Sequence, residues 1–335
     1  MSKSYLLVIL LLFLISSCRK DDSILDSTPD LKNTWHLISE KNSVKTINKI
    51  LFANTNVGWM IGSEGIVLSS TDGGYTWKEQ NSHTKNSLCG INFIDEKKGW
   101  ISGNKNTLIY TSNSGEEWQQ IDVYEDTTKI NSDIFFIDNQ IGWLLTNTGN
   151  LYQTTNAGNS WDEIFVFPGA GWFKLIFFDD MNGYAMQIIG DKLMKTIDGG
   201  RSWESIDLNF PDALMGIMVR DIYFSDKLTG YFIYSWRSGG LMETATPVRK
   251  TTDGGFIWTH QDSVMYPFLN KIYFYSSECG FLIGGGDVYF TSNGGNDWNY
   301  NAELTHSGYM SDIFFYDNKV GWISSSDGTV YRYNL

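Results

Sequence analysis

Few side chains in this 335-residue chain are marked for chemistry. His36, His83, His260 and His306 lie far apart, with no cysteine or carboxylate at ligand spacing. They predict neither a zinc site nor any other cofactor. Glycoside hydrolysis needs only two carboxylates, ~5 Å or ~6.5–9.5 Å apart. Among 38 acids such a pair can always be drawn, so none is singled out. Recognition is better marked than catalysis. Apolar and aromatic residues in surface loops, with a few polar anchors, are what a binding patch uses. The stretches "FPGAGWF" (167–173), 204–220, 235–248, "SVMYPFL" (263–269) and "THSGYM" (305–310) supply them. The candidates are Trp172, Phe210, Met215, Trp236, Tyr266 and Tyr309, with Arg220 and Arg237 as anchors.

Six short motifs position these loops. "SSTDGGYTW" is followed by "TSNSGEEW", "TTNAGNSW", "TIDGGRSW", "TTDGGFIW" and "TSNGGNDW". Their tryptophans, Trp77, Trp118, Trp161, Trp203, Trp258 and Trp298, are spaced by 41, 43, 42, 55 and 40 residues. Ahead of each lies an apolar run ending in Phe ("KILF", "GINF", "DIFF", "LIFF", "DIYF", "KIYF", "DIFF"), then a Gly-aromatic pair. There are seven runs and seven pairs but six motifs. Each unit reads as four strands, and four strands at a period of 40–43 is the propeller signature. A solenoid of that period would need capping repeats.

The ends resolve the missing motif. The seventh unit stops after its third strand, while Trp35 lies 42 residues, one period, before Trp77. Thr28, Asp30 and Thr34 echo the motif, with Lys32 in place of its glycine. The expected fold is an all-β, seven-bladed β-propeller of four-stranded blades over residues 28–335. The N-terminal strand joins the last blade, which leaves no free edge. Within each motif the Asx residue bonds the amides of its own turn and glycine supplies positive φ. Tryptophan then buries ~150–250 Å², roughly 4–6 kcal/mol gross. The motifs are staples. Cys89 and Cys279 fall in blades that do not touch, so no disulfide between them is expected.

The motif S/T-x-D-x-G-x-T/S-W resembles the Asp-box, or bacterial neuraminidase, repeat. Its structural residues here are Asp72, Asn113, Asn156, Asp198, Asp253 and Asn293 with the six tryptophans. A single ring of such boxes with "I-x-F…G-W" strand pairs is similar to the propeller of the photosystem II assembly factors. The resemblance implies the fold and a protein-binding role, not photosynthesis, for those factors use an Arg-rich surface and this chain has six arginines. Sialidases share the box but need three converging arginines, and Arg201 is committed to a box turn. Xyloglucanase-type enzymes place a cleft between two propellers, and one propeller has none.

The N-terminus implies an address. Lys3 and an apolar run from Tyr5 to Ile15 are too short to span a bilayer and describe a signal peptide over 1–17. "ISSC" resembles the lipobox of bacterial lipoproteins, which makes Cys18 the lipidated residue. "RKDD" (19–22) resembles an outer-surface export signal within a tether of 18–27, with a periplasm-facing anchor as the alternative. Without Lys3, 24 cations face 38 acids, a balance that excludes nucleic acid as a partner. The expectation is a monomeric, non-catalytic outer-membrane lipoprotein. It binds an envelope protein or a glycan through its loop face, the alternative being a carbohydrate-binding protein or glycoside hydrolase.

Overall fold

The computed structural model describes residues 35–40, 45–188, 192–210, 215–238, 241–242, 245–261, 266–267, 269–304 and 308–334. Cys18, the signal segment and the tether lie outside these residues.

Seven antiparallel sheets form a ring. Six are meanders within one stretch of chain: 47–80, 88–120, 131–166, 172–207, 215–260 and 271–303, blades 1 to 6. Blade 7 consists of Met310–Phe315, Val320–Ser325 and Val330–Asn334, completed by Trp35–Ser39. Trp35 pairs with Tyr333 and His36 with Arg332, so the N-terminal strand closes the ring as expected. In each blade the turns joining strands one to two and three to four share one face, here the box face. The two-to-three turns and the links between blades share the other, the loop face.

Hydropathy orders the strands radially. Second strands such as Gly58–Gly62 and Gly142–Thr146 are buried throughout, while fourth strands such as Lys78–Gln80 are largely exposed. The aromatic of each second strand stacks on the terminal Phe of the next blade's first strand. Trp59 lies 3.6 Å from Phe93, Trp100 3.6 Å from Phe136, and Trp322 closes the circle on Phe52 at 3.6 Å. Each box tryptophan meets that same Phe edge-on, as Trp118 does Phe93 at 6.1 Å. Trp35 meets Phe315 in the same way, at 5.9 Å and 83°. It is the seventh tryptophan of the series. Glycine precedes each second-strand aromatic because the Phe ring leaves no room: a Cβ at Gly58 would lie 2.4 Å from Phe52.

First strands line the axis. Three residues before the terminal Phe they read Lys49, Gly90, Asp133, Lys174, Asp221, Lys271 and Asp312 around the ring. Lys49 pairs with Asp133 at 3.0 Å across the glycine of blade 2, Lys174 with Asp221 at 2.6 Å, and Lys271 with Asp312 at 3.7 Å. Each aspartate also accepts a backbone N–H from the next blade: Leu175 to Asp133, Ile272 to Asp221 and Ile50 to Asp312. Burial works against the Lys49 ammonium, but Asp133 and Asp312 outweigh it and hold its pKa above the ordinary range. Burial likewise opposes the Asp221 carboxylate, and Lys174 and Lys271 hold it below its ordinary range. Alternating signs satisfy charges that would be costly if buried alone.

Candidate functional site

The box turns are built alike. A Ser or Thr hydroxyl donates to the Asx Oδ1 and accepts the N–H of the second box glycine at 2.9 Å, as in Ser70–Asp72–Gly74 and Thr196–Asp198–Gly200. The Asx Oδ1 then accepts the N–H four residues on, from Thr76, Glu117, Ser160, Ser202, Ile257 and Asp297. The glycine four residues after the hydroxyl has φ between +82° and +93° in all six boxes, a conformation that favours glycine. Asn113, Asn156 and Asn293 make the same Oδ1 bonds as Asp72, Asp198 and Asp253, so the amide costs the turn nothing there.

The boxes also join blades. The second-strand aromatic of one blade donates to a carbonyl in the next blade's box: Trp59 to Ser114, Trp143 to Gly199, Tyr184 to Gly254, Tyr231 to Gly294 and Trp322 to Gly73. Phe281 of blade 6 has no donor to offer. These contacts give the boxes a structural role. The sequence also holds a second turn series that the motif reading missed. Asn54, Asp95, Asp138, Asp179, Asp226, Ser276 and Asp317 each cap the one-to-two turn by accepting two backbone N–H groups. Their fixed place two residues after the terminal Phe was the available signal.

The loop face is distinctive at blade 5. Its first two strands, Met215–Phe224 and Gly230–Ser238, run ten and nine residues, where the other blades have four to six. Stretches expected as enlarged loops are thus partly an extension of the sheet. Leu241–Met242 pairs back on it, and Ala245–Thr246 pairs with Tyr266–Pro267 from the link to blade 6.

Several candidates gather at this extension. Phe210 packs edge-on against Tyr234 at 4.7 Å and Phe232 at 5.7 Å, and Trp236 lies 5.8 Å from Tyr234. Arg220 Nε donates to Ser235 Oγ at 3.0 Å, and the Arg249 guanidinium lies 5.9 Å over the Tyr234 ring. Phe210, Trp236 and Arg220 are half-buried. Met215 and Arg237 face each other in the ladder, and Tyr266 pairs with Thr246. The side chains of these last three lie outside what the structure describes. Tyr309 is 55% exposed in the link between blades 6 and 7, apart from this cluster.

Trp172 corrects the sequence reading. Expected in a surface loop, it opens the first strand of blade 4, is 1% exposed and stacks on Phe167 at 4.3 Å. It belongs to the core. Elsewhere on the loop face, a polar groove of about 590 Å³ at blade 1 and its link to blade 2 is lined by Lys45, Glu64, Glu79, Gln80, Ser82 and Lys85 among others.

Residues 28–174 match the family model for photosynthesis system II assembly factor YCF48. No curated protein matches the chain in sequence. Among solved structures, YCF48 bound to D1 peptide is 19% identical with a TM-score of 0.73, over 90% of this chain and 97% of that one. YCF48 from Cyanidioschyzon merolae is 16% identical with a TM-score of 0.71, over 90% and 98%. The GH74 xyloglucanase from Xanthomonas campestris is 13% identical with a TM-score of 0.68, and this chain spans 53% of it. At these identities the structural likeness speaks to fold alone. The chain is a seven-bladed Asp-box β-propeller similar to the YCF48 assembly factors, with the family model matching from its N-terminal side into blade 4.

Proposed function

We propose that this chain is a non-catalytic, lipid-anchored envelope protein that binds a partner protein through the loop face of blades 4 and 5. The observation carrying this reading is the extended sheet of blade 5, where Trp236 and Phe210 both meet Tyr234 and Arg220 bonds the neighbouring Ser235. Half-buried aromatics and an arginine on and beside an extended strand pair are the composition of a binding hot spot. A YCF48 structure that holds a peptide supports a protein ligand for this kind of propeller. A glycan is the second reading, favoured by the likeness to GH74 enzymes, because aromatics beside polar groups also suit sugar stacking. The anchor is Cys18, on the outer membrane. "RKDD" favours the cell surface over the periplasm.

The test is a pull-down from detergent-solubilised envelopes with the protein as bait, run beside a glycan array. One envelope protein recovered at stoichiometric yield and lost with Trp236→Ala would support the protein reading. A glycan hit without a protein would replace it. If neither signal responds to Trp236→Ala, the loop-face site is wrong.

A further inference from the structure

We propose that the box face of blades 4 and 5 is a lipid-docking surface, so that the disc lies with this face on the membrane and its loop face outward. The inference rests on the reading of Cys18 as an anchor.

The repeat supplies its own comparison. Two residues after the Asx of each one-to-two turn stand Asn56, Lys97, Gln140, Met181, Leu228, Glu278 and Lys319. Only blades 4 and 5 carry an apolar residue there. Between the hydroxyl and Asx residues of the boxes stand Thr71, Ser112, Thr155, Ile197, Thr252 and Ser292; just before tryptophan stand Thr76, Glu117, Ser160, Ser202, Ile257 and Asp297. The apolar exceptions, Ile197 and Ile257, again belong to blades 4 and 5. Phe256 precedes Ile257. The box fold does not require these side chains, since the turn uses only the Ile257 N–H, bonded to Asp253 at 3.0 Å. All five are exposed, from 44% at Met181 to 69% at Ile197.

The tips are also neighbours. Gly199 N–H donates to Met181 O at 2.9 Å and Gly254 N–H to Leu228 O at 2.8 Å, which ties each box to the turn beside it. The Tyr184 hydroxyl of blade 4 meets the carbonyls of Lys227 and Gly254 in blade 5, and Lys227 pairs with Asp179. The ammonium of Lys195 lies 4.8 Å over the Phe256 ring. An apolar patch is thus held rigidly across two blades.

The path of the chain identifies what covers it. Trp35 pairs with Tyr333 at the box-face end of the last blade, so the described chain begins on this face. Cys18 lies 17 residues upstream. That length spans at most about 60 Å when extended, and roughly 25 Å as a flexible coil. A box face tethered so close to acyl chains meets lipid at high effective concentration. A second attachment that adds to an acyl anchor makes membrane residence stable. Asp179, Asp198, Asp226 and Asp253 stand around the apolar tips against Lys195, Arg201 and Lys227, so no net positive charge draws anionic headgroups and the contact is one of insertion into neutral lipid.

The experiment places an environment-sensitive fluorophore at Ile257→Cys or at Tyr309→Cys, each in a Cys89→Ser, Cys279→Ala background of the full lipidated chain. Vesicles are phosphatidylcholine–phosphatidylethanolamine carrying an acyl-chain quencher. The inference expects a blue shift and quenching at position 257, unchanged by salt, and neither at 309. Equal emission at the two positions overturns it. So does a shift at 257 that disappears on dilution with unlabelled protein, which would make a second copy the occupant, or one that needs an added envelope protein. Cys18→Ala separates the two readings. If that variant leaves the vesicles while position 257 of the anchored chain stays unquenched, the anchor stands and docking falls. If it stays bound and Phe256→Asp with Ile257→Asp releases it, docking stands and the anchor falls.

Discussion

Replacing Trp35 by Ala tests the closure of the ring. Trp35 is 7% exposed and touches Phe281 at 5.4 Å, Phe315 at 5.9 Å and Tyr333 at 5.3 Å. It packs as the box tryptophans do, yet no described turn ties it to the strand it pairs with. Burying ~200 Å² of indole is worth roughly 5 kcal/mol gross at ~25 cal/mol per Å². Truncating a buried tryptophan to alanine costs about 3–5 kcal/mol once partial collapse of the cavity is allowed. At ~2–4 °C per kcal/mol for a chain of this size class, Tm should fall by roughly 10 °C. Differential scanning calorimetry, with urea unfolding as a second probe, measures the change. Trp77→Ala is the internal control: Trp77 is half-buried in the same packing role, so its loss should be smaller. A Tm for Trp35→Ala within about 2 °C of the parent would refute the closure argument, because a strand that seals the ring cannot lose its one large core residue without effect. Deleting residues 28–40 should lower Tm at least as far.

Two further substitutions probe the core and the axis. Trp172→Ala should cost about 3–5 kcal/mol in urea unfolding, yet leave untouched any interaction that Trp236→Ala abolishes; loss of binding without loss of stability would return Trp172 to the surface. Lys174→Met leaves Asp221 buried beside a missing partner and should cost roughly 3–5 kcal/mol at neutral pH. Lys174 and Lys271 hold the folded carboxyl below its unfolded value, so in the parent its contribution is present above the unfolded pKa and lost as pH falls through the folded one. The variant removes the cation that contributes most, so its deficit should be full at neutral pH and shrink only as pH falls below the ordinary carboxyl value of 3.8; no deficit at pH 7 would show the pair to be energetically silent.

The ring was legible because the repeat is written in residues whose roles are local. A box needs a hydroxyl, an Asx, a positive-φ glycine and a tryptophan at fixed offsets, and all six boxes form as read. Trp35 was legible from period alone. Trp172 was not, since "FPGAGWF" looks like a loop when read by itself. Aligned on the terminal Phe of its strand, it occupies the place of Ile47, Leu88, Val219, Leu269 and Met310, all buried. The register of the repeat carried that answer and local composition hid it. The axial ring of Lys49, Lys174 and Lys271 with Asp133, Asp221 and Asp312 escaped for another reason. Its successive members are 41 to 84 residues apart in sequence and alternate in sign only when seven strands are seen end-on. The patch of Met181, Ile197, Leu228, Phe256 and Ile257 is legible once the blades are laid over one another, since each residue is ordinary by itself. The blade 5 extension looked like loop because Gly, Thr and Pro interrupt its apolar runs.

The interface between blades 6 and 7 carries two departures at once. Phe281 offers no donor where five of its counterparts bond the next box, and Lys32 stands where each box has a left-handed glycine. One lock has been given up at the place where the chain's ends meet. A closed ring has no intrinsic first blade, so that break can be relocated. A permuted chain joining Asn334 to Trp35 through a box turn, with Phe281→Trp, would add a sixth lock to the five present and let the cut fall at any other three-to-four joint. Every such joint opens on the box face. Permutation would carry the chain's N-terminal entry around the rim of the disc while leaving it on the box face, so the point of entry and the face it occupies are independently adjustable.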